Sequence, residues 1–200
     1  SMKTKLGLLL LMLLIAVGCG DGASKDQMSG TIKLDKLTHR NGLAYKINSE
    51  TPYSGKVFDN YEDEQKKHEG NYIDGKVDGL AIGWHVNGQK MYEGNYKGGE
   101  EEGLWIRWHE NGENESEGNF KDGEVVGLFT AWYENGQKKY EVNWKDGKRD
   151  GPKTTWYENG HKMYEENYRD DKRDGLWVFR DENGEKIEET IYKDGISIQK

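Results

Sequence analysis

Cysteine is almost absent from this sequence, with Cys19 the single residue of its kind. One thiol cannot close an intramolecular disulfide, so no disulfide framework holds the fold. Proline is nearly as scarce, at two residues against 27 glycines. That ratio excludes a proline-rich spacer and points to many tight turns. Beyond the amino end no segment carries a helical period. Gly-x-Ser-x-Gly, phosphate-loop and Cys/His metal patterns are also missing. Hydrolytic, nucleotide and zinc chemistry therefore have no starting residues, and the chain reads as non-enzymatic, with no cofactor and no metal.

Aromatic residues are plentiful by contrast. A mean hydropathy of -1.06 and 33% charged residues border on disorder, but 12% aromatic content decides against it. Seven Trp and twelve Tyr require a packed or binding surface. The formal charge is -8. Without Lys3 and Lys5, 27 cationic side chains face 37 anionic ones, a net of -10. This balance disfavours nucleic acid and anionic lipid head groups and favours basic partners.

The one long apolar run, Leu6 to Val17, follows Lys3 and Lys5. It is too short to span a bilayer and has the length of a secretory h-region. Ala16-Val17-Gly18-Cys19 comes next. A small residue directly before a lone cysteine resembles the lipobox of bacterial lipoproteins. The resemblance implies cleavage before Cys19 and acylation there. The expected layout is a signal peptide over 1–18, a lipid-anchored tether over 19–39 and a folded domain over 40–200. The protein is then expected in the bacterial cell envelope, lipid-anchored at the outer membrane or cell surface. An ordinary secretory signal with an incidental cysteine is the alternative.

The rest of the chain is a repeat. Asn-Gly recurs at 87–88, 111–112, 135–136, 159–160 and 183–184, always 24 residues apart. Gly55, Gly79, Gly103, Gly127, Gly151 and Gly175 keep that step, as do Trp84, Trp108, Trp132 and Trp156. A glutamate ladder follows it too: Glu69, Glu93, Glu117, Glu141, Glu165 and Glu189. Units start near 55, 79, 103, 127, 151 and 175, and each reads as two strands around an Asn-Gly turn. The expected fold is all-β: an elongated, twisted, single antiparallel sheet of tandem 24-residue hairpins. Six units at ~4.8 Å per strand make a sheet on the order of 60 Å long. A partial strand over 42–47 precedes them. Asn60 and Arg180 end the tryptophan column and serve as polar caps.

Turn length decides which side chains share a face. A two-residue Asn-Gly turn puts Tyr92 and Tyr96 away from Leu80, Ile82 and Trp84. A three-residue loop with its glycine in the left-handed region gathers Leu80, Ile82, Trp84, Lys90, Tyr92, Gly94 and Tyr96 on one face. The second register collects the large apolar groups and is the expectation here.

The phrase Tyr92-Glu-Gly-Asn-Tyr-Lys-Gly-Gly, followed by Gly103-Leu104-Trp105, resembles the MORN repeat in its bacterial variant form. Pro52-Tyr-Ser-Gly-Lys-Val57 and Trp132-Tyr-Glu-Asn-Gly-Gln-Lys138 extend the likeness to the YwqK-type antitoxin family. It covers about residues 40 to 195 and implies action by binding, with a toxin as one such partner.

Trp105, Tyr133, Tyr157 and Trp177 fall opposite Trp108, among polar neighbours. They are the expected exposed binding residues, with Glu117 and Glu141 supplying charge. The Trp column itself reads as core. His85 and His109 sit ~10 Å apart, too far to share one metal, and read as solvated. Asp74-Gly-Lys-Val-Asp78 and Asp146-Gly-Lys-Arg-Asp150 look like calcium loops but carry Lys at the third ligand position. The expected role is a protein-binding repeat scaffold, antitoxin- or immunity-like, whose membrane contact is the lipid anchor alone. A cell-wall or carbohydrate-binding module, of the kind whose aromatic cages hold choline, is the alternative. The lipobox reading predicts that the chain expressed in a bacterial host partitions into detergent and that Cys19→Ala does not. Equal partitioning of both would refute it.

Overall fold

The computed structural model describes residues 30–199, so Cys19 and the signal segment lie outside the described residues. Six hairpins follow one another: Gly55–Asn60 with Lys66–Ile73, Gly79–Trp84 with Lys90–Lys97, Glu100–Trp108 with Asn114–Lys121, Glu124–Trp132 with Lys138–Lys145, Lys148–Trp156 with Lys162–Arg169, and Gly175–Arg180 with Lys186–Lys193. Their strands lie side by side in chain order in one sheet, which Ile196–Gln199 completes. The sheet is mixed rather than purely antiparallel, because Ile32–Lys33 runs parallel to Gly55–Asn60 at its first edge.

The expected tether over 19–39 is therefore structured in its last part. After Ile32–Lys33 come a 3₁₀ turn, Leu34–Lys36, and a separate two-stranded sheet of Leu37–Arg40 and Leu43–Lys46. Together they cap the first unit. Ala44, Tyr53, Val57 and Tyr72 form a buried cluster, against which Ile32, Leu37 and Val77 pack. The Tyr53 hydroxyl lies 2.8 Å from the carbonyl oxygens of both Gly30 and Lys56. An apolar cap shields this end of the stack, built in part from the strand expected over 42–47 (here Leu43–Lys46) rather than from the polar Asn60.

Two kinds of turn alternate. Lys-Asp-Gly turns have both central residues at positive φ, as at Asp122 (51°) and Gly123 (79°). Those values suit a two-residue hairpin whose twist matches the strands. The Asn-Gly turns are three-residue loops, as expected. His85 N donates to Gln89 O and Gly88 N to His85 O, with Gly88 at φ +83°.

The face assignment nevertheless comes out opposite to the expectation. Trp84 pairs with Lys90, but Gly83 pairs with Tyr92, so Met91 is an extra residue on its strand. This bulge beside the loop shifts the register by one more step. Tyr92, Gly94 and Tyr96 then share a face with Gly79, Ala81 and Gly83, and Leu80, Ile82 and Trp84 lie on the other. The same skip falls at Lys67, Glu115, Lys139, Met163 and Ile187.

Packing explains why the bulge is kept. On one face Tyr92, Trp105 and Phe129 each lie against a glycine of the neighbouring strand. A Cβ at Gly83 would stand 2.2 Å from the Tyr92 ring, and one at Gly94 would stand 2.2 Å from Trp105. At Gly118 it would meet Phe129 at 2.5 Å. The rings also meet each other: Tyr92 stacks on Trp105 at 6.1 Å, and Tyr96 meets Trp105 edge-on at 4.9 Å. Trp105, Phe120, Ala131, Val142 and Tyr168 are buried on this face. A single-layer sheet thus makes a core from its own side chains.

One unit departs from the pattern. Glu166 follows Gly94, Gly118 and Val142 in their column, and Lys153 follows Trp105 and Phe129. The Glu166 side chain is 4% exposed, takes hydrogen bonds of 2.9 Å from Lys153 and from Tyr168, and pairs with Arg173 at 3.3 Å. Burial pushes its carboxyl up, but these partners outweigh burial and hold it below the ordinary 4.5. A depressed carboxylate stabilises the fold above its unfolded pKa, and that contribution fades as pH falls through the folded value.

Two predictions follow from this face. Gly94→Ala should cost about 1–3 kcal/mol in urea unfolding, because Trp105 must leave its seat. Gly94→Ala melting like the parent would refute flat-ring packing. Glu166→Gln should cost about 3 kcal/mol at neutral pH, since it leaves Lys153 facing a neutral group. The gap between variant and parent should narrow as pH drops below 4.5. A constant gap across an acid titration would exclude Glu166 as the titrating group.

Candidate functional site: the open sheet face

The face opposite the rings is ruled by three columns. Leu80, Leu104, Leu128 and Leu176 form the first, with Pro152 in the fourth place. These leucines are 45–51% exposed. Ile82, Ile106, Thr130, Thr154 and Val178 form the second, and Trp84, Trp108, Trp132 and Trp156 the third. Glutamates lie between the second-column residues: Ile106 pairs with both Glu93 and Glu117, and Thr130 with Glu117 and Glu141. No second layer covers this face among the described residues. Shallow depressions run along it, one of about 830 Å³ beside Phe58, Glu69, Leu80 and Ile82 and another of about 440 Å³ beside Pro152, Leu176 and Val178.

Lysines hold the charge of this face in place. Lys66 lies 5.3 Å from the Trp84 ring centroid, Lys90 lies 5.7 Å from that of Trp108 and Lys138 lies 5.7 Å from that of Trp156. Each also pairs with the glutamate three residues on, as in Lys66–Glu69 at 2.7 Å, Lys90–Glu93 and Lys138–Glu141. Such exposed pairs contribute little stability singly, but they fix where cations and anions stand.

Hydrogen bonds between units keep the columns in line. At the Asn-Gly edge Tyr61 Oη donates to Trp84 O (2.7 Å), Tyr133 to Trp156 O (2.8 Å) and Tyr157 to Arg180 O (3.0 Å). His85 and His109 take the same position, with Nε2 at 2.7 Å from Trp108 O and 3.0 Å from Trp132 O. Asn111, Asn135 and Asn159 each donate to the next loop's Glu134, Glu158 and Glu182 carbonyls at 2.7 Å. Their side-chain oxygens meanwhile accept the backbone N–H two residues on. At the other edge Gly98 N donates to Asp78 and Asp122 N to Glu102.

The expected site residues divide accordingly. Trp105 is 3% exposed, and its indole N–H donates to Asn95 O at 3.1 Å. It belongs to the packed core, so the exposure expected of it is not found. Trp177 lies on the same packed face, stacked with Tyr164 at 5.6 Å. Tyr133 and Tyr157 stand at the edge with their hydroxyls tied to the next unit. Burial pushes both phenols up. The histidines read as solvated are likewise links between units. Glu117 and Glu141, expected on the same face as Trp105, stand instead on the opposite, open face beside Ile106 and Thr130. The Trp column, read as core, is half-buried there. The exposed Leu column was missed, although its 24-residue step was visible in the sequence.

No group of three or more His, Cys, Asp or Glu side chains is placed to hold a metal ion among the described residues. No helix there is long and apolar enough to cross a membrane. The MORN repeat variant family matches residues 101–122, 125–146, 149–170 and 173–194, four tandem copies that each enclose one Asn-Gly hairpin. The two preceding units, from Gly55 and Gly79, keep the same step outside the matched range. No curated protein matches the chain.

Proposed function

We propose, from four tandem MORN-variant repeats on a sheet with one face left open, that this protein is a non-enzymatic scaffold that binds a protein partner along the open face. Repeats of this kind are binding modules. The observation that carries the reading is the leucine column, about half exposed at the same place in four units. A solvent-facing column of large aliphatic side chains, rimmed by charge, has the make-up of a contact surface. The negative net charge steers a basic partner towards it, with association slowing as salt rises. The likeness to YwqK-type antitoxins makes a toxin the first partner class to test. The lipobox-like Cys19 would place the scaffold at the envelope.

Replacing Leu104 and Leu128 together by Glu should abolish retention of the partner while the melting temperature holds. A contact hot spot contributes about 2 kcal/mol or more, near 30-fold in affinity for each residue. Unchanged retention by this double variant would refute the open-face reading. Tight binding of a glycan or choline, with no protein retained, would instead favour a carbohydrate-binding module.

A further inference from the structure

Five of the six units carry a lysine three residues before the ladder glutamate: Lys66, Lys90, Lys138, Lys162 and Lys186. The remaining unit carries Asn114. This exception falls where it changes the surface. Lys66, Lys90 and Lys138 each place an ammonium over the Trp ring of the following unit. Trp132 is the ring that Asn114 would have to cover, and no cation lies over it among the described residues. Glu69, Glu93, Glu141, Glu165 and Glu189 are all paired with their lysines. Glu117 has no ion pair among the described residues.

Trp132 and Glu117 are both partly buried. They line a depression of about 340 Å³ together with Leu128, Thr130, Lys138 and Glu141. Lys138 does not fill it, being paired with Glu141 and turned over Trp156. The site therefore offers the face of an indole, a carboxylate without a counter-charge and an aliphatic wall.

We propose that this position binds an alkylammonium group, presented as the side chain of a lysine on the protein partner. The inference rests on the protein-binding reading above and names the group recognised. An indole face attracts a cation, and a carboxylate gives it a charge-assisted hydrogen bond. The methylene stem runs along Leu128. The neighbouring units show the geometry to be attainable, since Lys90 makes both contacts one unit away with Trp108 and Glu93. A partner lysine entering here supplies the charge that the repeat provides for itself elsewhere.

The test uses the full chain with ¹⁵N-labelled tryptophan, the Trp132 indole signal being assigned through Trp132→Phe. The probe is acetyl-Gly-Lys-Gly-amide. It should shift the Trp132 signal saturably, with a Kd on the order of millimolar, near that of a single weak contact. The same peptide with its Nε acetylated should leave the signal unmoved. Glu117→Gln should weaken binding at least tenfold, and Asn114→Lys should do so by filling the site from within. Glu93→Gln should bind as the parent does. Dispersed spectra of every variant show that it is folded. A Trp132 signal that ignores the lysine peptide, or that responds equally in Asn114→Lys, overturns the site. Neither result touches the leucine-column test, which stands or falls on partner retention. n-Butylammonium chloride, titrated alongside, separates the two sources of an ammonium. Weaker binding than the tripeptide supports a lysine side chain, and equal or tighter binding overturns that assignment.

Discussion

A sheet of one layer has no partner layer in which to bury its aromatic side chains, and the rest of this structure depends on how it does so. Rings laid flat against glycines of the adjacent strand remove apolar area from water within a single layer. Gly83 beneath Tyr92 and Gly94 beneath Trp105 show the requirement most directly, because no Cβ fits at either. That requirement sets the register, and the register requires a bulge beside every Asn-Gly loop. It also decides which face is core and which is left open. The two-stranded sheet of residues 37–46 packs at the first unit, where the ring face has no preceding unit.

Backbone pairing alone would leave such a sheet free to twist and flex. The edge bonds counter this from both sides. Asparagines, tyrosines and histidines of one loop reach carbonyls of the next, and acidic side chains just after one of the opposite-edge turns, Asp78 and Glu102, accept the N–H of the next turn. The asparagine of Asn-Gly thus has two tasks, closing its own loop and holding the following one. With both edges linked, the open face presents its columns at a regular spacing, as a surface for extended recognition requires.

The repeat is informative where it is broken. At Glu166 and Lys153 an ion pair takes the place of a ring and a small residue on the packed face, and it is satisfied internally by Lys153, Tyr168 and Arg173. At Asn114 the loss of a lysine on the open face has no compensation among the described residues, so the half-buried Trp132 and Glu117 have no cation paired with them there. The first departure is a packing solution, whereas the second leaves an indole and a carboxylate without their usual lysine on the open face. The two sides of the sheet respond differently because only one has to exclude water.

Strand order, unit length, turn positions and the three-residue loop were all legible from the 24-residue step and from Asn-Gly and Asp-Gly chemistry, which act within a few residues of chain. The candidate site was legible only in part. The sequence pattern sets Glu117 and Glu141 beside Trp105 on one exposed face, whereas the structure buries Trp105, packs Trp177 on the ring face and puts the two glutamates on the opposite side, with His85 and His109 linking units. The cause is the bulge. Its extra residue is Met91, Glu115, Lys139, Met163 or Ile187 in successive units, a position with no shared chemistry to mark it. Nothing local distinguishes a strand with that residue inserted from one without it. The choice between registers is made by contacts across strands, such as the seating of Tyr92, Trp105 and Phe129 against glycines. The sequence by itself therefore determined the repeat and its turns. The tertiary structure decided which face is buried, because a one-residue shift inverts every side chain and only packing between strands selects the shift.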